Sequence, residues 1–297
     1  MSDSINFLDP TVLAGLSNLE LRARVVVEGF LSGLHKSPNR GFSVEFNDYR
    51  HYQRGDDMRH VDWKLYARSD KFYIKQYEDE TNVRCMIVLD TSASMDYTSG
   101  GVSKLNYGVT LASALAYFIM RQRDAVGLIT FDEDIREYLP ARCRQPHLMH
   151  ILRTLSRVES GQKTNAVKPL SDLAATLTKK SMVILITDML DDEERVINTL
   201  QNLRGMGNDV ITFQIMDDAE LNFPFSEASE FIDMENNETY ITSPVAIRKA
   251  YLENLNEFLG FCRKKCQSSG VDYTLLNTAK PLDEALSSYM SKRAKSF

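Results

Sequence analysis

The residues best suited to chemistry lie in Val88-Leu89-Asp90-Thr91-Ser92-Ala93-Ser94-Met95, an apolar run that gives way to a carboxylate and two hydroxyls at alternate positions. Alternation lets three oxygens converge on one point. A hard divalent cation such as Mg²⁺ requires this, because it takes near-octahedral oxygen ligands at about 2.0–2.1 Å and keeps some of its water. A second apolar run, Met182-Val183-Ile184-Leu185-Ile186-Thr187, ends in Asp188 in the same manner. A third hydroxyl is available in Gly161-Gln162-Lys163-Thr164-Asn165, where Thr164 is the candidate. Taken singly these signals are weak, since a DxSxS run can merely cap a helix and leave no metal site at all. Taken together they name Asp90, Ser92, Ser94, Thr164 and Asp188 as metal ligands and Mg²⁺ or Mn²⁺ as the cofactor.

Such a set needs elements that bring the two acids together. From Val83 onward strands and helices alternate, the pattern of βαβ units and a mainly parallel sheet covered on both faces. The strands expected are 85–90, 125–131, 182–187, 210–216 and 273–277, with an edge strand around 136–139. Helices are expected over 104–123, 146–158, 169–179, 193–206 and 245–267, and a hairpin over 230–242 turning at Asn236-Asn237. In a doubly wound sheet of order 3-2-1-4-5-6, the first and fourth strands are neighbours where the winding reverses, and ligands bind beyond their carboxyl ends. With the edge strand counted third, Asp90 and Asp188 fall on those two strands.

Residues 1–82 differ in character. Helical spacing of Leu13, Leu16, Leu19, Val26 and Phe30 predicts one or two opening helices. Charges and aromatics then interleave between Gly41 and Arg68, with strands expected near 42–46 and 72–77 and a short helix over 57–68. The fold class expected is α/β, a doubly wound, mainly parallel sheet of Rossmann type over 83–297, preceded by an α+β extension over 1–82.

Composition limits the function classes. The 297 residues carry a net charge of −6, which argues against a dedicated nucleic-acid binder. In the 50–68 stretch acids and bases alternate, favouring internal ion pairs, and Trp63 reads as a packing anchor. The opening Met1-Ser2-Asp3-Ser4 lacks a basic head and apolar run, so export by a signal peptide is not expected. Leu111–Met120 is half the length a membrane span needs and reads as a core helix. Four cysteines without CxxC pairs form no disulfide framework, Cys262 and Cys266 read as buried free thiols, and a reducing cytoplasm fits. Asp96, Asp191 and Asp192 read as solvated acids near the rim of the site. No GxxxxGK[ST] or GxGxxG is present, so neither ATP hydrolysis nor NAD binding is expected.

The DxSxS loop, a loop Thr and a strand-end Asp resemble the metal-ion-dependent adhesion site of von Willebrand factor A-like domains. That resemblance implies Ser92, Ser94 and Thr164 as direct or near-direct ligands, with Asp90 and Asp188 binding directly or through water. Many such domains carry Gly after the second Asp, whereas this chain has Met189. Gly33-Leu34-His35-Lys36-Ser37, Gly41, Glu45-Phe46, Arg50-His51-Tyr52, the run Gly55 to Lys64 and Ala67-Arg68 resemble the bacterial DUF58 family. The second resemblance implies a cytoplasmic or membrane-adjacent, chaperone-like protein, often encoded beside a MoxR-type AAA+ ATPase and working with it in maturing or assembling other proteins.

The expectation is therefore a Mg²⁺-dependent protein-interaction adaptor that performs no catalysis. Two formal charges and neutral hydroxyls leave a bound ion electrophilic, with a position open for an acidic side chain of a protein partner. Two alternatives stand beside it. One is a phosphatase-like metal-dependent hydrolase using the Asp90 loop, although Ser92 stands where such an enzyme needs a second acid for proton transfer. The other is a structural scaffold with a vestigial metal site.

Overall fold

The computed structural model describes residues 10–16, 18–36, 49–51, 73–75, 83–161, 165–177, 179–226, 229–232 and 239–293. The chain divides into two compact units, residues 1–32 with 83–297, and residues 33–82. In the smaller unit β1 (Tyr49–His51) and β2 (Tyr73–Lys75) pair antiparallel. The strand expected near 42–46, the helix over 57–68 and Trp63 lie outside the described residues.

The larger unit opens with α1 (Pro10–Ala14) and α2 (Leu19–Lys36). Their apolar stripe, Leu13, Leu19, Ala23, Val26, Val27 and Phe30, is buried. Arg22 of α2 donates to the Thr110 hydroxyl. These helices therefore belong with residues 83–297 and not with the segment that follows them.

The remaining elements run β3 (Arg84–Asp90), α3 (Lys104–Arg121), β4 (Ala125–Phe131), β5 (Ile135–Arg142), α4 (Gln145–Leu155) and α5 (Val167–Thr176). There follow β6 (Met182–Thr187), α6 (Glu193–Gly205), β7 (Asp209–Met216), α7 (Asp218–Asn222), β8 (Ser229–Ile232), β9 (Thr239–Thr242), α8 (Pro244–Ser268), β10 (Asp272–Asn277) and α9 (Asp283–Arg293). Strands β8 and β9 form the expected hairpin, and their connection lies outside the described residues. The elements α7 and α9 were not apparent in the sequence pattern: α7 is a single capped turn, and α9 mixes small, polar and apolar residues without a clear stripe.

Six strands form one sheet in the order β10-β7-β6-β3-β4-β5, parallel except for β5, which returns antiparallel along β4. In chain order this is 3-2-1-4-5-6, the doubly wound arrangement. Strands β3 and β6 are buried on both faces, as central parallel strands must be, and this explains their unbroken apolar runs. Alternate residues serve the two layers. Leu89 and Ile186 face Gly108 of α3, whose missing side chain lets that helix approach within contact distance; a Cβ there would sit 3.1 Å from Leu89 Cδ1. Val88 and Leu185 join the opposite cluster with Leu170 of α5, Leu200 of α6 and Cys262 of α8. Fifteen of the eighteen residues of α3 are buried, so it is a core helix. No helix among the described residues is long and apolar enough to cross a membrane.

Candidate metal centre at the carboxyl edge of the sheet

Strands β3 and β6 run side by side up to the Leu89–Ile186 pair and then part. The parting is the crevice that a switch of winding direction leaves at the carboxyl edge. Asp90 and Asp188 both stand there, fully buried. The Asp90 carboxylate accepts from the Ser92 amide at 2.9 Å on one oxygen and from the Thr187 hydroxyl at 2.6 Å on the other. Thr187 accepts in turn from the Met189 amide at 3.0 Å. Burial, and after it the negative charge of Asp188, push the Asp90 carboxyl up to about 7.

The loop after Asp90 is pinned to β4, because both the amide and the hydroxyl of Thr91 donate to the Phe131 carbonyl, at 2.7 and 2.8 Å. A 3₁₀ turn, Ala93–Asp96, then brings Ser92 and Ser94 to one side with their hydroxyl oxygens 3.1 Å apart. Adjacent ligands of an octahedral Mg²⁺ stand about 2.9 Å apart, from metal–oxygen distances of about 2.0–2.1 Å. Among the described residues no three His, Cys, Asp or Glu side chains form a metal-binding group. The donor set is thus hydroxyl and carboxylate oxygen, which suits a hard cation, and the serine spacing fits one.

The sequence-derived set is brought together in four of its five members, Asp90, Ser92, Ser94 and Asp188. Thr164 lies outside the described residues. The flanks of its loop are anchored beside the site: the Gly161 amide donates to the Thr91 carbonyl at 2.6 Å, and the Asn165 amide to the Asp132 carbonyl at 3.0 Å. A side chain at Gly161 would displace the Asp132 carboxylate, since a Cβ there would stand 2.1 Å from one of its oxygens. Asp191 and Asp192 reach solvent, as expected of acids near the rim, and each also holds a backbone amide. Asp191 accepts from the Ala166 amide at 3.1 Å and Asp192 caps α6 through the Arg195 amide at 3.1 Å.

Met189 occupies the left-handed region at φ 58°, the conformation in which glycine is at ease. Its side chain is buried in the cluster beneath α5 and α6, and the turn leaves Leu190 exposed at the rim. Opposite that cluster, between β4, β5 and α4, opens a cavity of about 650 Å³ that shares Thr91 and Gly161 with the site. Arg136, His150, Arg153 and Arg157 line it, with Glu137 and Glu159 among them, and Arg136 is held by Asp132 at 2.8 Å.

Sequence reasoning missed Lys104. Its side chain is wholly buried, and its ammonium donates to Asp188 at 2.9 Å and to Glu220 of α7 at 2.8 Å. Burial alone would lower the Lys104 ammonium, but the charges of Asp188 and Glu220 outweigh it and raise it above its ordinary value. Burial raises Glu220 despite that ammonium. A signal existed: a lysine in the first turn of an apolar helix sits at the positive end of the helix dipole, where a cation needs carboxylates to hold it. Glu220 is itself locked by a capping box with Asp217 and by the Tyr251 hydroxyl, which donates to its carbonyl at 2.9 Å.

The fold has counterparts among known proteins. The family described as "Protein of unknown function DUF58" matches residues 48–257. An uncharacterized protein of Mycobacterium tuberculosis, Rv1480, is 25% identical over 221 residues, covering 73% of this chain and 68% of its own. An aerotolerance-related membrane protein from Bacteroides fragilis shares the fold, with TM-score 0.52 at 19% identity over 71% of this chain and 99% of that one. The SpRpn10 VWA domain aligns over 69% of this chain and 93% of its own, at 9% identity and TM-score 0.40. The family match spans well over half the residues and takes in the whole of the switch-point site: the chain belongs to the DUF58 family.

Proposed function

We propose that this protein is a Mg²⁺- or Mn²⁺-dependent interaction adaptor, cytoplasmic, that binds an acidic side chain of a protein partner, with a MoxR-type AAA+ ATPase as that partner in protein maturation or assembly. The observation that carries the reading is the pair of serine hydroxyls 3.1 Å apart beside two buried strand-end carboxylates. Ser92, Ser94 and Thr164 offer neutral oxygens, and Asp90 and Asp188 the negative charge. A bound Mg²⁺ supplies there an electrophilic centre that accepts a carboxylate oxygen. The chain's own residues keep the ligands in place: Thr187 and the Ser92 amide orient Asp90, and the Leu190 amide orients Asp188 at 3.1 Å. Exposed Leu190 adds an apolar contact at the rim, and the arginines of the neighbouring cavity add counter-charges for an acidic segment. The adaptor role involves no covalent step. Ser92 in place of a second acid gives no group for the proton transfers of a phosphatase.

The test is capture of the AAA+ ATPase by the tagged full chain in millimolar Mg²⁺. Capture is expected with the wild type and lost with Asp90→Ala or with chelator. Metal saturating the wild type at ~100 times its dissociation constant adds about 2.7 kcal/mol of stability, a shift of several degrees in thermal unfolding. Metal-dependent release of phosphate from small phosphomonoesters would overturn the adaptor reading in favour of a hydrolase.

A further inference from the structure

Beside the candidate metal centre two carboxylates, Asp188 and Glu220, face the ammonium of Lys104. Lys104 stands within hydrogen-bond distance of two carboxylates at once, 2.9 Å from Asp188 and 2.8 Å from Glu220. Its side chain and that of Asp188 are completely buried, and Glu220 is 16% exposed. The position does nothing for the helix it begins, because the amino end of α3 repels a cation. Nor does packing ask for it, since a methionine or leucine fills a similar volume without the cost of burying charge. A buried ammonium that faces two carboxylates, one negative charge more than it can balance, has a different use.

We propose that Lys104 is a resident counter-cation of the metal centre, neutralising Asp188 while the site is metal-free and giving Asp188 up to the incoming ion while Glu220 retains the ammonium. The inference rests on the metal-dependent reading above and adds the residues that set its affinity. Without the ion, Lys104 pairs with Asp188 at 2.9 Å. With the ion, the charge of Asp188 is taken up by the metal, and Glu220, fixed by its capping box, keeps Lys104 paired. Neither state leaves the ammonium buried alone. The consequence is a metal site held weak by design of charge: Lys104 competes with the ion for one ligand and repels it from behind. A site so held depends on a carboxylate from outside to complete it.

The charges make opposite demands on two substitutions. Lys104→Met removes the competitor and frees Asp188, so metal affinity rises. Glu220→Gln removes the alternative acceptor and leaves the ammonium wholly on Asp188, so metal affinity falls. A unit charge a few ångströms away in a partly screened interior changes binding of a divalent ion by about tenfold or more. The double variant Lys104→Met/Glu220→Gln lies close to Lys104→Met, because Glu220 acts mainly through Lys104 and its direct repulsion of Asp188 is the smallest of its interactions.

The experiment is calorimetric titration of Mn²⁺ and of Mg²⁺ into chelator-stripped full-length protein, wild type and the three variants. Tightening by Lys104→Met and weakening by Glu220→Gln, each about tenfold or more, is the expected result. If Lys104→Met does not fold without metal, Glu220→Gln still decides, since it keeps the Lys104–Asp188 pair intact. Metal binding by the wild type with affinities unmoved, or moved in the same direction, by both substitutions would show Lys104 to be a structural ion pair only, and the metal reading would survive. Absence of binding by all four proteins would overturn the metal reading and this inference with it.

Discussion

At the scale of single residues the site is governed by how two acids are kept close in a dry crevice. Among the described residues the Asp90 carboxylate accepts from neutral donors, the Ser92 amide and the Thr187 hydroxyl, while Asp188 accepts from the Lys104 ammonium. Burial and the neighbouring charge of Asp188 push the Asp90 carboxyl up to about 7. In the unfolded chain a carboxyl of this type titrates near ~3.9. The folded, metal-free protein then holds the Asp90 proton through a range in which the unfolded chain has released it. Stability in chelator is accordingly expected to fall as pH rises from about 4 to about 7, and to level off above. Asp90→Asn, which keeps the shape and cannot ionise, should flatten that slope relative to wild type. Urea unfolding at three pH values across the window checks it, and a slope unchanged by the substitution would refute the assignment.

At the scale of elements, the positioning is done by two buried parallel strands and by the turns that leave them. The turn after β6 shows how a sequence departure is absorbed. Where glycine would sit without strain at φ 58°, Met189 stays left-handed because its side chain is anchored among Val88, Leu185 and Val196. Left-handed backbone costs about 1–2 kcal/mol, against about 2–5 kcal/mol for emptying a buried methionine site. Met189→Gly is therefore expected to destabilise by about 1–3 kcal/mol even though it relieves the backbone, measured as a lower denaturation midpoint in urea. A stabilised Met189→Gly protein would mean that the side chain is poorly packed. The same turn projects Leu190 outward, so anchoring Met189 also shapes the rim that a partner meets.

At the scale of the whole molecule, the division of the chain does not follow its order. Residues 1–32 belong with 83–297, and 33–82 form a unit of their own, so the smaller unit is an insertion between the opening helices and the first strand of the large sheet. The opening helices complete the large unit's core: six apolar side chains of α1 and α2 are buried, and Arg22 ties α2 to α3. Deleting residues 1–32 is thus expected to lower the melting temperature by about ten degrees or more, or to yield insoluble protein, given about 1.5–3 kcal/mol for each large apolar side chain buried. Replacing 37–82 by a flexible linker should leave the sheet domain folding cooperatively. Differential scanning calorimetry of both variants checks this, and a well-behaved 1–32 deletion would show that the two helices are appendages.

The sequence by itself determined the sheet and the address of the site. Uninterrupted apolar runs of five residues, Cys85–Leu89 and Met182–Ile186, suit strands covered on both faces, and short-range periodicity placed the helices between them to within a few residues. The alternation of Asp90, Ser92 and Ser94, and the acid closing the next central strand, were legible because oxygen ligands must follow the strand that carries them. What only the tertiary structure decided is the company these residues keep. Lys104 reaches Asp188 across 84 residues and Glu220 across 116, and Thr187 reaches Asp90 across 97. No local pattern encodes such pairings, since they depend on where a helix end and two strand ends meet once the sheet has formed. The same holds for the opening helices: their stripe announced that they bury one face, and only the packed chain showed which core that face completes.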